Sequence, residues 1–303
     1  MSLFTPRPVD PPLPGEPFVL PSARGLPIRG DVRRLPGAGP RPVVLVLHGF
    51  KGFKDWGFFP YLAARLAEAG LVSVTYNASG SGIGERPTEM TELDLFEANT
   101  LTREREDLMT VLDAVLRGEI AGARGALPGA DPARVGLLGH SRGGGISLLG
   151  AAQRPEARCL VTWAGVSRTM RYSSAEVAGW EERGYLEVVN ARTGQVLRLG
   201  RGLLQELRER PDDLDPRRAV RSLRIPYLIL HGDRDEAVPV EEARELLWAA
   251  QDAGLRNAVL STVSGAGHTF GASHPFPGTQ DHLEEAIAKT LGWFERWLLE
   301  SGG

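Results

Sequence analysis

The stretch Gly139-His140-Ser141-Arg142-Gly143 constrains the chain more than any other. With 37 glycines in 303 residues, one Gly-x-Ser-x-Gly says little by itself, so its setting decides its meaning. On its N-terminal side Arg134-Val135-Gly136-Leu137-Leu138 is a short apolar run led in by the turn-forming Asp131-Pro132, and residues 144–152 beyond it read as a helix of small residues. A strand that passes so quickly into a helix must turn sharply, and positions 139 and 143 need to lack a Cβ for the helix to approach closely. Such a turn raises Ser141 above the edge of a sheet. The first turn of the helix also directs backbone N–H groups, which have no intrahelical partner, toward the serine.

Around this turn, apolar runs alternate with amphipathic segments. Residues 41–47, 71–76, 134–138, 157–165, 225–230 and 257–263 read as strands, the first and fourth of them as buried ones. Residues 60–69, 100–118, 240–253 and 281–299 read as helices, the first closed by Gly70 and the third by Gly254. Strands alternating with helices predict an α/β fold in one domain spanning residues 1–303: a mostly parallel central sheet with helices on both faces. Two short strands are expected within residues 18–35, and the proline-dense residues 5–17 are expected to run as an extended, wrapped arm. Between residues 166 and 223 the alternation stops. Strands at 185–190 and 195–199, joined through Ala191-Arg192-Thr193-Gly194, and helices at 174–183 and 202–210 are expected there as a small inserted cap.

Composition narrows the function. A net charge of −3 leaves no basic footprint for nucleic acid. No run of 18 apolar residues and no apolar leader occurs, so no membrane association is expected and the protein is read as cytoplasmic. Cys159, the single cysteine, sits in an apolar run and is expected to be a buried structural thiol. The glycine-rich residues 77–84 lack the lysine of a P-loop and the spacing of a dinucleotide fingerprint, so they read as a tight exit from a strand. No His-Glu-x-x-His or paired-cysteine spacing occurs; neither a metal nor a cofactor is expected.

A serine hydroxyl becomes a useful nucleophile only when a base takes its proton and an anion holds that base. Two strand ends downstream supply candidates. After residues 225–230 comes His231-Gly232-Asp233-Arg234-Asp235-Glu236-Ala237-Val238-Pro239, and after residues 257–263 comes Ser264-Gly265-Ala266-Gly267-His268. The order serine, acid, histidine is that of a nucleophile-elbow hydrolase, with Asp233 and Asp235 both open as the acid.

With His48-Gly49-Phe50, the elbow, Gly232-x-x-Asp235-x-x-Val238-Pro239 and Gly267-His268, the chain resembles the α/β-hydrolase fold serine hydrolases over nearly its whole length. Within them it is similar to dienelactone-hydrolase-like and cinnamoyl/feruloyl-esterase-like bacterial enzymes. The resemblance implies Ser141 as nucleophile, Asp235 as orienting acid by its spacing from Gly232, and His268 as general base. It also implies the backbone N–H groups of Phe50 and Arg142 as the oxyanion hole. His48 and His231 are then expected in structural roles, His140 as the variable residue of the elbow rather than the base, His282 in solvent, and His274 as a possible substrate contact. Phe50, Phe53, Trp56, Phe58 and Phe59 either wall a pocket or pack into the core. Lys51 and Lys54 either attract an anionic substrate or keep their loop solvated. The expected activity is hydrolysis of a small carboxylic ester. A serine peptidase or aminopeptidase is the alternative, and a hydrolase-shaped protein that only binds is the alternative of another class.

Overall fold

In the computed structural model the described residues are 6–37, 39–122, 125–126, 129–191 and 193–300. Two N-terminal strands, β1 (Glu16–Pro21) and β2 (Pro27–Arg33), are followed by β3 (Arg41–Leu47), α1 (Phe59–Glu68), β4 (Val72–Asn77), α2 (Leu93–Glu97) and α3 (Leu101–Leu116). After the short β5 (Ala121–Gly122) and β6 (Gly125–Ala126) come β7 (Ala130–His140), α4 (Arg142–Ala151) and β8 (Ala157–Trp163). An excursion then holds α5 (Ser174–Arg183), β9 (Tyr185–Val189), β10 (Val196–Gly200), α6 (Arg201–Glu209) and α7 (Pro216–Ser222). The chain closes with β11 (Tyr227–Gly232), α8 (Val240–Asp252), β12 (Ala258–Val263), α9 (Asp281–Phe294) and a π-helical turn, Glu295–Leu299.

The main sheet runs β1-β2-β4-β3-β7-β8-β11-β12. Its first two strands are antiparallel additions, and from β4 onward every pairing is parallel. The apolar run of β3 is unbroken because both its faces are covered. Along β3, Val43, Leu45 and Leu47 join the core under α3, α4 and α8, while Val44 and Val46 join the core under α1 and α9. The period of two that separates the faces of any strand makes this division. Leu108, Val111, Leu112 and Val115 of α3 pack on the first face, and Leu62, Leu66, Leu283 and Ile287 on the second.

Parallel register brings the strand ends level. Leu47 pairs with both Tyr76 and Gly139, His140 with Trp163, Leu230 with Trp163, and Gly232 with Val263. The loops after β3, β7, β11 and β12 therefore leave from one edge, the carboxyl edge where open parallel sheets hold ligands.

Several boundaries differ from expectation. β7 starts at Ala130, four residues early, because Arg41 pairs with Ala130 across a bulge at Pro42/Val43 that leaves no apolar signal. The helices α2 and α7 were too short to show a periodicity. The hairpin β9/β10 forms with Val189 opposite Val196, although Arg192 of its turn lies outside the described residues. The N-terminal arm is bridged to the far end of the chain by Arg7 N–H to Thr279 O at 2.7 Å and Thr279 N–H to Arg7 O at 2.9 Å; Thr5, at its start, lies outside the described residues. Among the described residues no helix is long and apolar enough to cross a membrane.

Candidate active site

Ser141 is the residue between β7 and α4. Its φ of 57° and ψ of −122° put an L-residue in a sparsely populated region, a strain held in place by the packing around it. Its amide donates to Trp163 O at 2.8 Å, and its carbonyl accepts from Gly144 at 3.0 Å. The glycine requirement is steric. A Cβ at Gly139 would lie 2.2 Å from Gly143 O, and one at Gly143 would lie 2.3 Å from His48 O. Gly49 is just as confined, since a Cβ there would come within 2.9 Å of the Ser141 Cβ.

His268 and Asp235 meet at the same edge. His268 Nδ1 lies 2.8 Å from Asp235 Oδ2, with the carboxylate fully buried and the imidazole partly open. The other oxygen, Asp235 Oδ1, accepts the N–H groups of Ala237 and Val238, each at 2.9 Å. Burial opposes ionisation of this carboxyl, but hydrogen bonds from His231 and His268 outweigh it and hold the group well below the usual carboxylate range. Since Nδ1 faces a carboxylate, it carries the proton, and Nε2 is the nitrogen left to act as base. Asp233, the other acid in the motif, points elsewhere: its Oδ1 accepts the Gly265 N–H at 2.7 Å.

Two further histidines brace this arrangement. His231 is buried, its Nε2 2.8 Å from Val238 O and 3.3 Å from Asp235 Oδ2, so this nitrogen carries the proton and serves both acceptors. His140 Nε2 is 2.9 Å from His268 O, which fixes the backbone of the loop that carries the general-base candidate. Burial, reinforced by the neighbouring His268, pushes the His140 pKa down to about 3, so its ring is neutral. His48 spans two loops, with Nδ1 2.9 Å from Gly49 O and Nε2 accepting the Ala78 N–H at 3.2 Å. The sequence suggested structural roles for His48 and His231 and left His140 as the elbow's variable residue. It could not suggest that His231 reaches Asp235, because that contact depends on how the loop after β11 folds back.

Two cavities flank Ser141. The larger, about 440 Å³, is lined by Ser141, His268 and Phe50, by Leu203 and Leu207 of α6, and by Lys51, Arg142, Arg168 and Arg171. The second, about 340 Å³, shares Ser141, His268, Phe50 and Lys51 and adds Trp56, Phe59, His140 and Asn190. Phe53 and Phe58 pack wholly inside, as core residues. His274 lines neither cavity; its Nδ1 accepts the Gly57 N–H at 3.0 Å and its ring stacks on Trp56. His282, in the first turn of α9, is half-buried rather than fully solvated. Cys159 is buried, and desolvation raises its thiol pKa far above the range of a nucleophile. Among the described residues no three His, Cys, Asp or Glu side chains are grouped to hold a metal ion.

A model of the prolyl oligopeptidase family matches residues 56–301. The chain is 24% identical over 220 residues to 2,6-dihydropseudooxynicotine hydrolase of Paenarthrobacter nicotinovorans, covering 70% of this chain and 49% of that protein. It is 23% identical over 239 residues to the uncharacterized peptidase YuxL of Bacillus subtilis, covering 77% of this chain and 32% of that one. The chain thus spans half or less of the length of the curated relatives it matches. Among solved structures, Est1E from Butyrivibrio proteoclasticus with ferulic acid bound superposes with a TM-score of 0.66 at 19% identity, over 92% of this chain and 99% of that one. The fold is that of the α/β hydrolases.

Proposed function

The chain belongs to the prolyl oligopeptidase family, and on that premise we propose that it is a serine hydrolase cleaving small carboxylic esters through an acyl-enzyme intermediate. In this reading Ser141 Oγ attacks the substrate carbonyl while His268 Nε2 takes its proton, and Asp235 stabilises the resulting imidazolium. The oxyanion of the tetrahedral intermediate is received by the N–H groups of Phe50 and Arg142. Collapse breaks the ester bond, and the imidazolium gives its proton to the departing alcohol. Water then attacks the acyl-enzyme with His268 again as base, releasing the acid and restoring Ser141. The excursion between β8 and β11 serves as a cap, contributing Leu203, Leu207 and Tyr172 to the larger cavity.

The observation that carries the reading is the 2.8 Å contact of His268 with the buried Asp235 carboxylate beside cavities that Ser141 also lines. Esters rank first because an alcohol departs with less acid assistance than an amine. A peptidase acting on small peptides or aminoacyl amides is the second reading, favoured by the family's description and by the Bacillus relative. Parallel assays of short p-nitrophenyl esters and aminoacyl anilides separate the two: faster anilide turnover reverses the ranking. A fluorophosphonate probe tests the nucleophile itself. Wild-type protein is expected to label and Ser141→Ala not to label; an unlabelled wild type would return the chain to the class of hydrolase-shaped binding proteins.

A further inference from the structure

Lys51 and Lys54 stand three residues apart in the loop after β3, and the structure separates them. Lys54 Nζ lies 2.6 Å from Asp31 and 2.7 Å from Asp55, and its backbone N–H donates to Asn77 Oδ1 at 2.7 Å. It is a structural clamp with its charge neutralised. Lys51 instead lines both cavities that flank Ser141. Its Nζ donates to the Val189 carbonyl at 2.9 Å and lies 5.4 Å from the Phe50 ring centroid, and among the described residues no carboxylate forms an ion pair with it.

The other cations of the larger cavity are matched. Arg142 lies 3.4 Å from Glu104 while covering the Phe50 ring, Arg168 pairs with Glu245, and Arg171 pairs with Glu242. The wall therefore carries one positive charge more than its carboxylates offset. Two features set Lys51 apart as a side chain the site needs. Its backbone φ of 58° is one that glycine adopts without strain, so a lysine is held there at a conformational cost. Partial burial, and then the charge of Arg142, lowers its pKa, and an anion placed beside the ammonium would offset both effects.

We infer that the substrate carries a carboxylate within reach of the scissile carbonyl, received by Lys51 Nζ between the two cavities beside Ser141. The inference rests on the hydrolase reading of the site. An arriving carboxylate replaces or shares the bond to Val189 O, relieves the repulsion from Arg142 and leaves the glutamate-paired guanidiniums undisturbed. Lys51 thereby acts as the determinant of charge specificity, and because it touches both cavities the carboxylate can stand on the acyl or the alcohol side.

The test compares matched pairs of esters on purified full-length protein. On the acyl side, p-nitrophenyl hemiglutarate is set against p-nitrophenyl methyl glutarate; on the alcohol side, 4-acetoxybenzoate against its methyl ester. In at least one pair the charged member is expected to have the higher kcat/KM, and Lys51→Met should lower that charged-to-neutral ratio by about tenfold, with Lys51→Arg restoring most of it. The ratio in the wild type should also fall as salt rises. The neutral esters and fluorophosphonate labelling report separately on the hydrolase reading. Turnover with no charged preference, a ratio unmoved in Lys51→Met, or labelling without turnover of either charged ester overturns the carboxylate assignment and leaves the hydrolase in place. No labelling and no turnover at all removes both.

Discussion

One aspartate separation, Asp233 against Asp235, tests the division of labour at single-residue resolution. Asp235 is buried against two histidines and two backbone amides, whereas among the described residues Asp233 holds the Gly265 amide alone. Replacing Asp235 by Asn keeps the shape but offers His268 Nδ1 an amide in place of an anion, which favours the wrong tautomer. The expected loss in kcat is on the order of 10³–10⁴. Asp233→Asn should stay within about threefold of wild type, since its carbonyl oxygen can still accept from Gly265. Ester kinetics on the two variants check both; equal losses would mean that the acid has been misassigned. The sequence left both aspartates open, and only the resemblance separated them, because what distinguishes them is direction and the sequence carries no direction. The histidine pairings follow the same logic. His140 and His231 are recognisable as neighbours of important residues, but their partners, His268 O and Asp235, lie 128 and four residues away and are set by loop geometry.

At the scale of elements, what was legible followed burial. Strands covered on both faces, such as β3 and β11, appear as apolar runs, whereas β12, at the sheet edge with its middle four residues half-buried or exposed, was legible only as a mixed run between turn residues. Helices long enough to repeat an apolar stripe, such as α3 and α8, were visible too. Short elements with one or two buried side chains were not: α2 buries only Phe96, and α7 only Pro216 and Val220. The junction of β7 with α4 is where pattern and packing agree most closely, and it yields a stability prediction. Gly143→Ala forces a Cβ against the backbone carbonyls of His48 and Leu47, at 2.3 and 2.7 Å, neither of which can swing away as a side chain would. The expected destabilisation is about 1–3 kcal/mol, read as a lower thermal midpoint or denaturant midpoint. A midpoint equal to wild type would show that the elbow relaxes freely.

For the molecule as a whole, pH dependence offers a test remote from the chemistry. Asp107 of α3 is buried beneath the loop after β4, accepting Ser79 N–H at 2.7 Å and Ser79 Oγ–H at 3.1 Å. Burial outweighs these bonds and raises its pKa from 3.8 to about 6. Between those values the folded state holds a proton that the unfolded state has released, so this group's contribution to stability declines as pH rises through that window. Asp107→Asn removes the titration. The thermal midpoint of Asp107→Asn relative to wild type is expected to rise from pH 4 to pH 7 and then level off; a difference that stays flat across that range would contradict the assignment. The largest consequence comes from the sheet order. β8 and β11 are neighbours, with Leu160 beside Tyr227 and Trp163 beside Leu230, yet some sixty residues separate them in the chain. The detour leaves and re-enters the platform at almost the same place, like a cassette in a slot. A change confined to that cassette would reshape the cavity wall made by Tyr172, Leu203 and Leu207 while leaving the strands that carry Ser141, Asp235 and His268 in register.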